Sequence, residues 1–254
     1  MRRKVKKTEK VLNFALPIAT VGIIIALWAA AASAADNEYV LPTVSATLKK
    51  AFELFKSAKF YSAFFSTLFR CVVAFLLSYA LAFAAAYFSY KSKYAERALS
   101  PFIAIVRTLP TIAVVLLLTV WVNSKVAPVI VTMLVVFPTL FDNLYSALCG
   151  IDKDIGEMCK VFGVKKKDRL FKVVIPEIAP EFIRAAGAGL SLNIKLMVAA
   201  EVLSQTANSM GYLLNTAKIY FEISTMIALV LFTVAVGLIV ESVFKFLSKK
   251  AAKV

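Results

Sequence analysis

The stretch EMCKVFGVKKKDRLFKVVIP, residues 157–176, separates two strongly apolar segments of the chain. It carries six basic residues, one glycine and a terminal proline, whereas the segments on either side are mostly aliphatic and aromatic. A polar insert between two lipid-soluble segments is expected to lie in water at one face of a membrane. The pattern therefore predicts an exposed loop that joins two membrane spans.

The loop is predicted to contain a short helix parallel to the membrane surface. Asp152 or Asp154 can cap its start, and Glu157 suits the first turn, where the helix dipole favours negative charge. Gly163 can end the helix because glycine readily adopts the left-handed backbone conformation. Pro176 is placed to begin the next helix.

The composition indicates an integral membrane protein. Hydrophobic residues occupy 61% of the 254 positions and the mean hydropathy is +0.80, whereas soluble domains contain about 45–50% apolar residues. A helix needs about 20 mostly apolar residues to cross the hydrocarbon core, and six such runs occur. The sequence predicts an all-α membrane protein with six transmembrane helices, at residues 13–35, 62–89, 103–122, 127–149, 182–200 and 224–244.

The distribution of positive charge predicts the topology. The chain has 30 lysines and arginines against 15 acidic residues. Twenty of these basic residues lie in residues 1–10, 91–97, 153–172 and 245–253, and six lie in the intervening connections. Because loops rich in lysine and arginine stay on the inner side, both termini and the 157–176 loop are predicted to be cytoplasmic. This alternation explains the net charge without nucleic-acid binding, which we do not expect.

The first span could be a cleaved secretory signal or an uncleaved anchor. The basic start MRRKVKK, the apolar run and the small residues Ser33 to Ala35 resemble a signal with its cleavage site. The run from Phe14 to Ala32 is longer than the roughly 7–15 residues of a signal core, and Trp28 suits an interface anchor. We therefore expect an uncleaved span.

Residues 43–59 predict an amphipathic helix outside the spans. Apolar residues recur at helical spacing from Val44 to Phe55, opposite three lysines and a glutamate. Thr43 or Ser45 can cap the start of this helix. Such a helix is expected to lie on the outer membrane surface, in contact with lipid.

The apolar runs contain an arginine and several prolines that bear on the packing of the helices. Arg70, eight residues into the second run, is predicted to snorkel to the outer interface, with the interior of the bundle as the alternative. Pro110, Pro128 and Pro138 each free a backbone carbonyl and bend their helices. Bent helices suit a pathway that moves, although they also occur in static bundles.

The fifth run, FIRAAGAGLSLNIKLMVAAE at residues 182–201, has a small and polar stripe. Arg184, Gly187, Ser191 and Lys195 share one face of the predicted helix, opposite a face of mainly alanine, leucine and methionine. A lysine near mid-membrane favours a water-accessible cavity, which would take anionic or strongly polar cargo. Alternatively, Lys195 pairs with a carboxylate of a neighbouring helix, or Arg184 only marks the cytoplasmic boundary.

The chain offers little for catalysis. It has no histidine, so its three cysteines, Cys71, Cys149 and Cys159, have no partner for a zinc site of the usual kind, and we interpret them as small hydrophobic residues. A nucleophile with an evident base is also absent from the sequence. No GxxxxGK[ST] phosphate loop occurs, so any ATP chemistry would have to come from another subunit.

The 157–176 loop resembles the EAA loop of ABC importer permeases. That loop has the pattern Glu, Ala, Ala, three residues, Gly, nine residues, Ile, one residue, Leu, Pro. Both alanines are replaced in this chain, but the glutamate, the glycine, the register and the final proline remain. The matching positions are Glu157, Met158, Cys159, Gly163, Val173, Ile175 and Pro176.

The resemblance extends over nearly the whole chain and is closest to the nitrate, sulfonate and taurine type of permease. The similar segments are LPT at 41–43, RTLP at 107–110, AAE at 199–201 and MGYLL at 210–214. The likeness implies the type I importer fold, a six-helix subunit that forms a dimer around a central path and receives its solute from an extracytoplasmic solute-binding protein. Lys195 stands where much of the group has an uncharged residue, which suggests a different cargo.

The resemblance also implies partners and roles for the loop. Two cytoplasmic ABC ATPase subunits, which would bind ATP and magnesium, are expected to grip a coupling loop at residues 151–178. Glu157 would pair with or cap against a groove on the ATPase, Val161 and Phe162 would fill it, and Gly163 would allow the tight turn. The chain itself is expected to need no cofactor and not to be an enzyme.

The main rival is a secondary transporter driven by an ion gradient. Such a protein would use membrane carboxylates, and the candidates are Asp142, Glu201 and Glu241. These spans are predicted to be short of partners for a carboxylate, and Glu201 is interpreted as a residue of the outer boundary.

Overall fold

The structure is a computed structural model that describes residues 2–151, 158, 159 and 161–252, with side chains from residue 16 onward except those of residues 17, 166 and 170. Every element of regular secondary structure in this part of the chain is helical, which confirms the all-α prediction. Asp152, Asp154 and Glu157, which were expected to start the short helix of the loop, lie outside the described residues.

The chain is helical over most of its described length. A π-helical segment, Leu170–Val174, joins the seventh and eighth helices, so the backbone is helical without a break from Lys166 to Leu203. The helix at Met210–Ile219 contains the MGYLL segment at residues 210–214. In chain order the described helices are α1 (Arg2–Ala35), α2 (Val44–Phe55), α3 (Ala58–Lys91), α4 (Lys93–Thr108), α5 (Thr111–Trp121), α6 (Ala127–Cys149), α7 (Lys166–Arg169), α8 (Ile175–Leu203), α9 (Met210–Ile219) and α10 (Ile223–Ala251).

Five of these helical stretches are long and apolar enough to cross a membrane: α1, α3, α6, α10 and the continuous stretch that contains α8. The pair α4 and α5 would make a sixth span if the two short helices count as one.

The third predicted span, residues 103–122, is broken in two. α4 ends at Thr108, α5 begins at Thr111, and their axes differ by 93°. Leu109 is extended, with φ −62° and ψ 128°, because a proline ring disfavours the helical conformation of the preceding residue. The sequence predicted a bend at Pro110, and the structure has a complete break.

The chain divides into two compact units, Met1–Ala58 with Thr216–Val230, and Lys59–Asn215 with Leu231–Val254. The first unit contains α1 and α2. The second contains α3 to α8 and most of α10, and it holds the residues predicted to carry function.

In the first unit, the Trp28 indole N–H donates to the Pro42 carbonyl at 3.1 Å, which ties α1 to the segment before α2. Thr43 caps α2, because its hydroxyl oxygen accepts a hydrogen bond from the Ala46 N–H. The large apolar side chains of α2 are exposed. The placement of α2 on a membrane surface stays a prediction, and this exposed apolar face suits it.

In the second unit, α3, α6 and α8 pack through small residues. Ala82 and Ala86 of α3 and Ala185 of α8 are buried in one apolar cluster with Leu140 of α6. A Cβ atom at Gly189 would lie 2.5 Å from Leu140 Cδ2, so a larger residue there would force the buried Leu140 side chain to move. Since lipid tails are as apolar as side chains, close van der Waals contact at small residues is what holds such helices together.

A hydroxyl distant in the sequence bonds to the turn before α6. The Thr206 hydroxyl donates to the Ser124 carbonyl, which lies in this turn. The turn after α8 is thereby fixed to the turn before α6.

Candidate functional site

The described part of the 157–176 loop has the helix end that the sequence predicted. Gly163 is in the left-handed region, with φ 63°. The Phe162 N–H donates to the Met158 carbonyl at 3.0 Å, and the Val164 N–H donates to the Cys159 carbonyl at 2.9 Å. The second bond spans five residues and is the closing bond of a Schellman motif, in which the residue after the helix is left-handed.

Two large apolar side chains at this helix end face solvent. Val161 is 84% exposed and Phe162 is 77% exposed. Large apolar groups on an otherwise basic loop are unusual unless another surface covers them. Pro176, further along, is half-buried in the first turn of α8.

The last part of the loop is continuous with the fifth predicted span. α7, the π-helical segment and α8 form one helical stretch from Lys166 to Leu203. Lys172 and Asp168 form an ion pair across α7 and the π-helical segment at 2.9 Å. The turn at Gly163 separates this stretch from the capped helix end that carries Val161 and Phe162.

The predicted stripe on α8 is divided between two environments. Arg184 is exposed and forms an ion pair with Glu181, one turn earlier. Gly187 and Ser191 are buried under α10, where a Cβ atom at Gly187 would meet Phe244 Cβ at 2.3 Å. Lys195 is exposed again. The four residues thus share one side of the helix, but in this chain the two small ones serve helix packing.

A cleft of about 530 Å³ lies beside Arg184, between the end of α6 and the start of α8. Its wall includes Asn143 and Ser146 of α6 and Glu181 of α8. The wall carries both signs of charge together with neutral polar groups. A polar solute could therefore be accommodated next to Arg184.

Arg70 and Glu201 form a buried ion pair that the sequence analysis missed. Arg70 Nη1 lies 2.6 Å from Glu201 Oε1, and the side chains of the arginine and the glutamate are 13% and 0% exposed. The prediction that Arg70 snorkels is therefore wrong, and the alternative, the interior of the bundle, is right. Glu201, which was interpreted as a residue of the outer boundary, lies two residues before the end of α8, and there it is buried and paired with Arg70.

Glu201 has further partners on two other parts of the chain. The Thr67 hydroxyl lies 3.0 Å from Oε1 and 2.8 Å from Oε2. The Gly211 N–H donates to Oε2 at 3.2 Å, and the Met210 N–H donates to Thr67 Oγ1 at 2.9 Å. We call these five residues, Thr67, Arg70, Glu201, Met210 and Gly211, the Glu201 cluster. It joins α3, the end of α8 and the start of α9.

The approach of α9 to α8 at this point requires glycine. A Cβ atom at Gly211 would lie 2.4 Å from Glu201 Cβ and 2.5 Å from the Val202 backbone nitrogen. Neither atom can move without the backbone. Thr67 and Arg70 are three residues apart and share a helix face. Their partner is more than a hundred residues away, so the sequence alone did not indicate the cluster.

The other membrane carboxylates differ from Glu201. Asp142 of α6 forms an ion pair with Arg107 of α4, and both side chains are about half exposed. Glu241 of α10 is exposed. The prediction that these spans lack partners for carboxylates is therefore wrong for Asp142 and Glu201, each of which has an arginine.

The family described as "Binding-protein-dependent transport system inner membrane component" matches residues 78–253, more than half of the chain. Among curated proteins, the chain is 26% identical over 165 residues to the putative aliphatic sulfonates transport permease protein SsuC of Bacillus subtilis, covering 64% of this chain and 59% of that protein. It is 25% identical over 149 residues to a putative ABC transporter permease of Methanocaldococcus jannaschii, and this match covers 58% of this chain and 56% of that protein. The chain thus spans less than two thirds of the length of these two relatives.

A third relative is covered more fully. The formylaminopyrimidine transport permease protein ThiX of Halalkalibacterium halodurans is 21% identical over 199 residues, 78% of this chain and 75% of that protein.

Two solved structures share the fold. An inward-facing form of the MetNI methionine ABC transporter superposes with a TM-score of 0.59 at 16% identity, covering 74% of this chain and 93% of that one. An amino acid ABC transporter gives a TM-score of 0.56 at 16% identity, and the match covers 77% of this chain and 93% of that one. The helical arrangement is that of the type I importer permeases. The chain therefore belongs to the family of inner-membrane components of binding-protein-dependent transport systems, and it is a multi-pass protein of the cell membrane.

Proposed function

We propose that this chain is the permease subunit of an ATP-driven importer that moves a small polar or anionic solute across the cytoplasmic membrane. In this proposal both termini are cytoplasmic, a separate ATPase docks on the coupling loop at residues 151–178, and a solute-binding protein delivers the cargo on the other side. Two copies of the chain would form the central path. The observation that carries the proposal is the pair of exposed apolar side chains, Val161 and Phe162, at the end of a capped helix.

These two side chains suit a helix-in-groove contact. Such contacts depend on a few apolar anchors that become fully buried in the partner. Gly163 turns the chain directly after Phe162, so both anchors stand at the tip of the loop. The continuous helical stretch from Lys166 would then carry movement of the ATPase into α8.

Purification of the chain with and without its ATPase tests the docking. Replacing Val161 and Phe162 together by alanine should weaken ATPase binding by about 2 kcal/mol or more, roughly thirtyfold in Kd. Tyr94→Ala is the matched control, since Tyr94 is 84% exposed on α4 and outside the loop. Equal retention of the ATPase by the double variant and the control would overturn the proposal, and so would uptake that persists without ATP.

The solute path is proposed to follow the exposed charges of α8. Arg184 and Lys195 are both exposed on the same side of this helix, and Arg184 borders the polar cleft. Gly187 and Ser191 would support the path from behind, through their contact with α10. Cationic side chains favour an anionic or strongly polar solute, and a sulfonate, taurine or nitrate-like compound fits this charge.

Uptake assays with Lys195→Met test the path. Removing the charge should lower uptake of anionic solutes and leave neutral ones less affected. Lys125→Met is the control, because Lys125 is an exposed lysine in the turn between α5 and α6. Unchanged uptake of every candidate solute by Lys195→Met would remove Lys195 from the path.

The ion-coupled alternative is less well supported. A coupling carboxylate has to release its partner and bind an ion in each cycle. Glu201 is fully buried with an arginine, a hydroxyl and a backbone N–H around it, and Asp142 is paired with Arg107. Uptake that follows a proton or sodium gradient in the absence of ATP would favour this alternative.

A further inference from the structure

We propose that Glu201 is a positioning residue for the transport cycle, which holds α3, the end of α8 and the start of α9 as one rigid block. The proposal rests on the proposed function, because the movement that it transmits is the one supplied by the ATPase at the other end of α8. Glu201 itself contacts neither the solute nor the ATPase.

The geometry of the Glu201 cluster makes the three elements depend on one carboxylate. Oε1 receives the Arg70 guanidinium of α3, and Oε2 receives the Gly211 N–H of α9. The Thr67 hydroxyl donates to the carboxylate and accepts from the Met210 N–H. Each of these partners comes from an element other than α8, so α8 cannot slide or rotate at this end without breaking bonds to both neighbours.

The block continues into the turn after α8. The Ser204 and Thr206 hydroxyls lie 2.7 Å apart, and Thr206 donates to the Ser124 carbonyl before α6. The Ser209 hydroxyl donates to the Thr206 carbonyl at 2.7 Å and accepts from the Tyr212 N–H at 2.9 Å. All of these bonds lie at the end of α8 that is remote from the 157–176 loop.

The presence of a buried ion pair of this kind is better explained by the geometry that it imposes on the helices than by a gain in folding stability. Burying two charges removes them from water, and their attraction often does no more than offset that loss, so apolar replacements of a whole pair are frequently neutral or stabilising. A charge-assisted hydrogen bond is, however, shorter and stiffer than a neutral one. The cluster therefore contributes a fixed geometry, and its function is to prevent α8 from moving alone.

The Glu201 cluster determines whether a displacement of the 157–176 loop moves α8 alone or together with α3 and α9. Because the chain is helical without interruption from Lys166 to Leu203, a movement at the loop reaches Glu201. If the far end of α8 is fixed to α3 and α9, the three elements move together and the path opens or closes. If that end is loose, α8 shifts against α3 and the movement is lost without transport.

The test uses the complete transporter in lipid vesicles, with its ATPase and binding protein. The double variant Arg70→Met/Glu201→Gln removes both charges and keeps an oxygen that can accept from the Gly211 N–H. It should fold, bind the ATPase and hydrolyse ATP at the wild-type basal rate, while solute uptake per ATP hydrolysed falls roughly tenfold. Glu53→Gln is the control, because Glu53 is half exposed in its ion pair with Lys50 on α2; it should leave uptake per ATP unchanged.

Two results would overturn the proposal. A folded double variant with the wild-type uptake per ATP would show that Glu201 does not position anything needed for transport. A double variant that fails to fold would show that the pair serves stability. If the wild-type chain itself shows no ATP-driven uptake, the proposed function fails first, and the positioning role falls with it.

Discussion

Replacing Gly187 by alanine tests directly how α8 and α10 meet. The new Cβ atom would lie 2.3 Å from Phe244 Cβ and 3.0 Å from its Cγ. Phe244 Cβ cannot rotate away because it is bonded to the backbone of α10. To reach the 3.4 Å at which ordinary contact begins, the two helices must separate locally by about 1.1 Å, the difference between 3.4 and 2.3 Å.

The expected loss of stability follows from two opposing effects. Overpacking of a tight contact costs about 1–3 kcal/mol, and alanine in a helix gains about 0.5–1 kcal/mol over glycine. The net loss is then about 0–2.5 kcal/mol and about 1 kcal/mol at the middle of both ranges, and this middle value lowers the Tm of a chain of this size by about 2–4 °C.

Thermal unfolding of the purified chain in detergent measures this difference. Gly22→Ala is the matched control, since a Cβ atom there would have no neighbour within 4 Å, and it should leave the Tm unchanged or slightly higher. The Tm of Gly237→Ala should lie between those of the other two variants, because the atom nearest to its new Cβ is the movable Ser191 hydroxyl oxygen at 3.3 Å. If Gly187→Ala is as stable as Gly22→Ala, Gly187 faces open space, as it would if it lined a water-filled path, and the packing described above is wrong.

Three other substitutions have defined outcomes. Arg70→Met alone should lower the free energy of unfolding by about 3–5 kcal/mol, because it leaves Glu201 buried without its cation. The double variant Arg70→Met/Glu201→Gln should recover most of this loss in the same thermal assay. Equal losses of stability in the single and double variants would disprove the pairing. Asn193→Leu should raise the free energy of unfolding by about 1–3 kcal/mol, because among the described residues nothing bonds to the oxygen or the nitrogen of this fully buried side-chain amide. A lower Tm of this variant would reveal a hydrogen-bond partner of Asn193. Gly163→Ala should destabilise the folded loop by about 1 kcal/mol, since alanine resists the left-handed conformation. It should also weaken ATPase binding, measured by co-purification. Unchanged binding together with an unchanged Tm would contradict the capped helix end.

Features set by local residue order were predictable from the sequence. The helix end at Gly163 depends on one glycine and the few residues before it. The cap at Thr43 depends on the hydroxyl and the next three residues. The six apolar runs follow from the order of apolar residues, and single helices contain five of them, whereas the run at residues 103–122 is broken between α4 and α5.

Features set by distant partners were not predictable. Arg70 has the same position in its run whether it reaches for water or for Glu201, and only the packing of α3 on α8 decides between them. Gly187 and Ser191 show the same limit, since small residues on one helix face suit both a water-filled path and a close contact with another helix. At Pro110 the sequence indicated a disturbance of the helix, but the 93° angle depends on what α4 and α5 pack against.

The π-helical segment between α7 and α8 sets the rotational phase of α8 relative to the loop. A π-turn holds about one residue more than an α-turn, and each residue of an α-helix turns the chain by about 100°. If Leu170–Val174 became α-helical with no residue removed, the extra residue would swing every side chain of α8 by about that angle around the axis. Arg184 and Lys195 would then point towards different neighbours while Val161 and Phe162 stayed in place. The π-geometry of this five-residue segment therefore determines which side of α8 is presented to the solute for a given orientation of the loop.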